Sequence, residues 1–228
     1  MSIYRLKPAF QATLRPISNQ LAKHNITANQ VTLFTLTLTI ICSGILALIG
    51  PGAIWIAMPI LLFVRMALNA IDGMLAREHS MKSDYGYVLN EVCDIVSDAA
   101  IYLSFIAIPG FNIYVMFGFV LLSWLSEVVA ILVFHIKDER ANHGPLGKSD
   151  RAFIFGLLGL LVGLHIDLSV LGIWIMLIAY LAVIYTDLQS VTHYLIGLQW
   201  TTAYAILSPP MVPKSCTAHG LQKLIHKE

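Results

Sequence analysis

Apolar runs dominate this chain, most of them near the length that crosses a bilayer, and leave few folds open to it. Six of them follow one another, at about residues 32–49, 54–75, 87–108, 113–134, 152–164 and 171–185. A hydrocarbon core of about 30 Å takes roughly 20 residues of helix, and backbone polar groups inside it must pair within their own segment. The sequence is 57% hydrophobic and 12% charged, a balance few soluble domains show. The expected fold is therefore all-α, a polytopic membrane protein with six transmembrane helices. Gly50-Pro51-Gly52 ends the first run and Pro109-Gly110 the third. A formal net charge of +1 argues against a nucleic-acid partner. Cys42, Cys93 and Cys216 make neither a disulfide framework nor a metal or redox spacing.

Residues 1–24 read as a juxtamembrane arm and not as a signal peptide, because they lack a continuous apolar core and a small-residue cleavage site. Ile3, Leu6, Phe10, Leu14, Ile17 and Leu21 recur at helical spacing, with Arg5, Lys7, Arg15 and Lys23 among them. That pattern predicts an amphipathic helix lying in the membrane interface, bent at Pro8 and Pro16. An ordinary packing face on a soluble arm is the competing reading. Thr27 or Asn29 is the expected cap of the next helix. Residues 25–190 form the membrane domain and 191–228 a C-terminal tail, loose from Ser208-Pro209-Pro210 onward.

Lysine and arginine set the expected topology. They lie in the arm, at Arg77 and Lys82, at Lys137, Arg140, Lys148 and Arg151, and in the tail, while the loops after the first, third and fifth runs have none. The positive-inside rule then puts both termini on the cytoplasmic side of the inner or cell membrane. Arg65 is the exception, a charge inside an apolar run that costs about 2.5 kcal/mol or more unless paired or hydrated. Glu127, the lone acid in the fourth run, is its expected partner; a role at the functional site is the alternative. Gly156, Gly159 and Gly163 permit close helix packing, either in a dimer or within the bundle.

The polar residues gather between Asn69 and Asp98. Read as helix–loop–helix, Asn69 and Asp72 share a face of the first helix, and Asn90, Asp94 and Asp98 form one stripe on the second. Gly73 and Gly86 flank the bend and let a ligand approach the backbone. Two facing helices that aim oxygen ligands at one spot suit a hard divalent metal. Polar residues at a membrane surface also simply mark helix ends, but that does not account for the register across both helices. Basic groups at the start of the fifth run, Lys148 and Arg151, suit a phosphate, as loop positives also suit topology signalling.

This stretch resembles the signature of the CDP-alcohol phosphatidyltransferases, D-x2-D-G-x2-A-R-x8-G-x3-D-x3-D. Here it reads Asn69-x2-Asp72-Gly73-x2-Ala76-Arg77-x8-Gly86-x3-Asn90-x3-Asp94, with the spacing kept and Asn at two of the four aspartate positions. The likeness covers about residues 25 to 190 and is nearest to a divergent branch of inner-membrane members. Before the first run, Ala28-Asn29-x-x-Thr32 stands where members often carry Pro-Asn-x-x-Thr.

The resemblance implies a transferase of phospholipid biosynthesis that takes a CDP-alcohol, usually CDP-diacylglycerol, with Mg2+ or Mn2+. An acceptor alcohol attacks the phosphate on the lipid and CMP leaves. Carried over by position, Asn69, Asp72, Asn90 and Asp94 are the metal corners, and Asp94 is also the general base. Asp98 or Glu91 is placed to compensate for the lost carboxylates. Gly73, Ala76, Arg77 and Gly86 contact the CDP moiety; Lys148, Arg151 and Arg65 are candidates for the acceptor or lipid phosphate. Membrane lipids are partners, and a homodimer is expected from the family. Two other function classes compete: a CDP-lipid-binding protein without turnover, and a small transporter using Arg65 and Glu127, against which stands the lack of an inverted repeat.

Overall fold

The computed structural model describes residues 6–137, 148–170 and 172–185, with Leu188 and Thr192. Ile3, Arg5, Arg140, Cys216 and the 193–228 tail lie outside the described residues, as do the side chains of Lys7, Lys137 and Lys148. The described part is helical: α1 (Leu6–Lys23), α2 (Ala28–Ile49), α3 (Ala57–Glu78), α4 (Asp84–Ser104), α5 (Ile113–Lys137), α6 (Lys148–Gly163) and α7 (Gly172–Tyr185). Short 3-10 turns, Ala53–Ile56 and Phe105–Ala107, lead into α3 and out of α4. Residues 28–49 and 53–78 are long and apolar enough to cross a membrane; Ile113–Val128 and Gly172–Tyr185 are shorter apolar helices. α4 carries four acids, at 84, 91, 94 and 98, more than any of those stretches.

Thr27 is the cap of α2. Its hydroxyl accepts from the Gln30 N–H at 3.3 Å and the Gln30 side chain accepts from the Thr27 N–H at 2.9 Å, a reciprocal capping box. The helix then points its polar residues inward. Thr32, Thr35, Thr39 and Ser43 are buried, while Phe34, Ile41, Leu48 and Ile49 are exposed. The three inner threonine hydroxyls are satisfied by their own helix, as Thr35 to the Val31 carbonyl at 2.8 Å and Thr39 to Thr35 at 2.7 Å, whereas the buried Ser43 hydroxyl has no partner among the described residues. Apolar side chains outside and small polar ones at helix contacts are the arrangement that a lipid solvent selects.

α2 packs against both α3 and α4, and α6 against α3 and the turn before it. The centre is aromatic: Trp55 meets Phe105 edge-on at 4.9 Å between centroids, Phe105 meets Phe155 at 5.1 Å, and Tyr102 meets Phe119 at 5.2 Å. The glycines of α6 serve this internal contact. A Cβ on Gly159 would stand 2.5 Å from the Met58 Cβ, and one on Gly163 would stand 2.6 Å from the Ile56 backbone nitrogen. α1 is one continuous helix through Pro16. It packs on α3, where Phe10 meets Phe63 edge-on and Arg15 forms a bidentate pair with Glu78 at 3.0 and 3.1 Å. Phe10, Leu14 and Leu21 turn to the bundle, while Ile17 faces out.

The bundle has two unlike ends. At one, Pro51, Gly52, Pro109, His165 and Asp167 line a common cavity of ≈ 260 Å³. There the Asp167 carboxylate accepts from the Ser169 N–H at 2.8 Å, which holds its pKa below the usual carboxylate value. At the other end the start of α2, the end of α3 and the start of α4 converge, and with them Arg77 and Lys82. The loops after α2, α4 and α6, which are free of Lys and Arg, thus lie together, apart from the Arg77–Lys82 loop.

The expected Arg65–Glu127 pair is not formed. Arg65 binds Asp98 and Asp94 on α4, whereas Glu127 takes Arg151 of α6. The reason is register: Arg65 of α3 faces the Asp94–Asp98 stripe directly, one turn apart on the neighbouring helix, and a guanidinium with two prongs bridges that pair. Arg151, 2% exposed, then supplies the cation that Glu127 needs.

Candidate active site

Ser83 starts α4, its hydroxyl accepting from the Gly86 N–H at 3.0 Å. That cap fixes where the helix begins and brings Gly86 beside Asn29 of α2. A Cβ at position 86 would lie 2.8 Å from the Asn29 Oδ1 and 3.0 Å from the Ser83 Oγ. Gly73 is covered instead by Arg77, one turn on, whose guanidinium would stand 3.2 Å from a Cβ there. A Cβ at position 86 would thus press on two side chains, whereas one at 73 would meet only the movable end of Arg77.

Between these helix ends lies a second cavity of ≈ 260 Å³. Asp72, Gly73, Ala76, Arg77, Gly86 and Asn90 all line it, with Asn29, Thr32, Lys82 and Tyr87 beside them. Asp72 is buried, and its carboxylate accepts from the Thr32 hydroxyl at 2.9 Å. Thr32 and Asn29 are positions that the sequence reading treated as helix-cap territory. The signal that could have found them was present in the Asn29-x-x-Thr32 spacing, which puts both near the same helix start.

The remaining corners lie deeper. The Asn69 amide donates to the Asp94 Oδ1 at 2.8 Å, and the Arg65 Nη2 donates to the same oxygen at 3.2 Å and to the Asp94 carbonyl at 3.2 Å. Arg65 also donates through Nη1 to the Asp98 carboxylate. Asp98, grouped in the sequence with the metal corners, therefore faces the guanidinium. Asp72 is close enough to Asp94 for the two carboxylates to interact electrostatically. Of the expected phosphate contacts, Arg151 faces inward to Glu127, and the Lys148 side chain lies outside the described residues.

Among the described residues no group of three or more His, Cys, Asp or Glu side chains is placed to hold a metal. The oxygen donors are mixed: carboxylates at 72 and 94, amides at 69 and 90. An amide carbonyl ligates a hard cation without adding charge, so this donor set fits Mg2+ or Mn2+ but offers two fewer negative charges than four aspartates. Gly86→Val is expected to fill the floor of the cavity and lower CDP-lipid affinity by at least about tenfold, measured by binding in detergent. Unchanged affinity would place the nucleotide elsewhere.

Oxygen donors, glycines and basic groups thus gather at one end of an apolar helical bundle. The chain belongs to the CDP-alcohol phosphatidyltransferase family, which it matches over residues 25–185. It is similar to the inner membrane protein YnbA of Escherichia coli, 43% identical over 165 residues that cover 72% of this chain and 82% of YnbA. A phosphatidylinositol phosphate synthase of Corynebacterium glutamicum is 32% identical over 104 residues, 45% of each chain. The fold is also that of the Mycobacterium tuberculosis phosphatidylinositol phosphate synthase PgsA1, solved with CDP-DAG bound, with a TM-score of 0.64 at 18% identity over 78% of this chain and 92% of that one. The same enzyme has been solved with manganese and citrate. Membership carries with it a membrane phosphotransferase of phospholipid biosynthesis and the use of divalent metal.

Proposed function

We propose that this chain moves a phosphatidyl group from CDP-diacylglycerol, or a closely related CDP-alcohol, to an acceptor hydroxyl and releases CMP. The observation that carries this is the cavity in which Asp72, Gly73, Ala76, Arg77, Gly86 and Asn90 meet, although they come from two helices. The PgsA1 structure with CDP-DAG supports the choice of donor.

Gly73 and Gly86 leave room for the nucleotide to press against backbone, and Arg77 supplies charge for its phosphates. Thr32 fixes the Asp72 carboxylate. Asn69 and Arg65 hold the Asp94 carboxylate by one oxygen, so its plane is set before substrate arrives. Asp94 accepts the proton of the acceptor hydroxyl as its oxygen bonds to the lipid-side phosphorus; the bond from that phosphorus to the CMP oxygen breaks, and CMP leaves with the electron pair. A divalent ion held by Asp72, Asp94 and the amide oxygens of Asn69 and Asn90 would screen the diphosphate and stabilise charge on the leaving phosphate. Lys148, at the first position of α6, is the proposed contact for the acceptor's or lipid's phosphate.

We assign six membrane spans to α2–α7, place α1 in the interface and put both termini in the cytoplasm. The gathering of the loops free of Lys and Arg at one end of the bundle supports this orientation. A homodimer belongs to the proposal, with an interface other than the Gly159–Gly163 face, which the bundle uses itself. A second reading, CDP-lipid binding without turnover, is favoured by the amides at 69 and 90. Incubation with CDP-diacylglycerol and a panel of acceptor alcohols separates the two: a new phospholipid in the mass spectrum supports transfer, and bound donor with no product for any alcohol supports the binding protein.

Asn90→Asp restores one motif carboxylate. It is expected to tighten Mn2+ binding by roughly tenfold, since one added charge at contact distance is worth more than a unit of pKa. An unchanged titration would move position 90 away from the metal.

A further inference from the structure

Arg65 was expected to pair with Glu127 or to serve the functional site, and the pair with Glu127 is not formed. Its side chain is 7% exposed and spans two carboxylates on the facing helix, Asp94 and Asp98. It touches the same Asp94 oxygen that the Asn69 amide touches. A fixed positive charge therefore stands in direct contact with the carboxylate assigned as base and metal corner.

The charges around it are uneven. Of the three aspartates here, Asp94 and Asp98 already share the positive charge of Arg65, and Arg77 and Arg151 act on Asp72 and Asp98, so little uncompensated negative charge is left for metal ions. Two divalent ions would leave the cluster positive and would press one of them against a guanidinium in a poorly screened interior. The two positions where the motif's aspartates are absent, Asn69 and Asn90, remove the charge that a second ion would require.

We infer that Arg65 is a built-in cation that takes the place of one divalent ion, so that this site binds a single Mg2+ or Mn2+. The inference rests on the transferase reading for the location of the ion, but concerns how many ions bind and not whether CMP is formed. Arg65 acts through Asp94, as a positioning residue: it neutralises part of the cluster and holds the carboxylate in place. Lysine at this position keeps the charge but loses the two-pronged geometry that spans successive turns of α4.

The test is a Mn2+ titration of the full-length protein in detergent, with free ion followed by electron paramagnetic resonance. One bound Mn2+ per chain is expected for the parent protein and for Arg65→Lys. Arg65→Gln is expected to take a second ion, or to bind the first at least about tenfold tighter. If Arg65→Gln does not fold, the charge-balanced pair Arg65→Gln with Asp98→Asn replaces it and is also expected to bind tighter, because Asp94 loses the cation in contact with it. Two ions on the parent protein, or stoichiometry and affinity unchanged in Arg65→Gln (or in the double variant where that replaces it), would overturn the inference. No Mn2+ binding at all would overturn both it and the metal reading. One ion with no CMP release would leave the inference standing and remove the transferase.

Discussion

Asp94→Asn is expected to lower CMP release by roughly 10²- to 10⁴-fold, the range that a positioned general base contributes. The same variant should extract, purify and melt like the parent protein. The geometry explains both halves. Asn69 and Arg65 both donate to one oxygen of the Asp94 side chain, and an asparagine can turn its carbonyl oxygen to those donors and keep both contacts. What it cannot do is accept the hydroxyl proton. CDP-lipid binding measured alongside separates loss of chemistry from loss of substrate. Turnover near the parent rate would remove Asp94 as the base, and a fall in both binding and melting temperature would make its role structural.

Glu127→Ala is expected to have the largest effect on stability. Arg151 is 2% exposed and held by the Glu127 carboxylate across α5 and α6. Removing one partner of a buried pair costs about 3–5 kcal/mol, because the remaining charge is left in a poor solvent. For a chain of this size that is roughly 10 °C in melting temperature, read by thermal unfolding in detergent. The double change Glu127→Leu with Arg151→Met should recover most of the loss, since a well-packed apolar pair replaces a buried ion pair at little cost. If Glu127→Ala melts like the parent, water reaches Arg151 and the pair is not an organising contact. CMP release by the double variant also tests whether Arg151 meets a phosphate: activity near the parent level leaves that work to Lys148.

Much of this architecture was legible in the chain because a bilayer restricts it so strongly. The apolar runs mark the helices to within a few residues, since Gly50-Pro51-Gly52 and Pro109-Gly110 cannot continue them. The site was legible through period alone: Asn69 with Asp72, and Asn90 with Asp94 and Asp98, fall on facing stripes because helices bring every third or fourth residue to one side. Partner choice was not legible. Glu127 was the only acid in its run, which made it the obvious mate for Arg65, yet pairing depends on which helices are neighbours and at what height. Two closer carboxylates and a second buried arginine decided it. Thr32 escaped for a related reason. A threonine near a helix start reads as a cap, and only the crossing of α2 over α3 turns its hydroxyl to Asp72.

The distribution of polarity through the bundle joins fold and function. α2 keeps Thr32, Thr35, Thr39 and Ser43 on the inside, with Thr37 outside, so lipid sees mainly apolar side chains while polar contacts build the interior. Glu91 and Asp98 of α4 follow the same rule and are buried in the bundle, while Asp72 of α3 lines the hollow between the helix ends. A donor with two acyl chains fits this layout, because its tails can remain among the exposed apolar side chains while its diphosphate reaches the polar end.

The most direct test is CMP release from CDP-diacylglycerol by the purified full-length protein, with Mg2+ or Mn2+, in the presence and absence of acceptor alcohols. CMP that depends on both metal and acceptor, and is lost in Asp94→Asn, is the predicted result. Tight CDP-diacylglycerol binding with no CMP for any acceptor or related CDP-alcohol would contradict it and leave a lipid-binding protein built on an enzyme's fold.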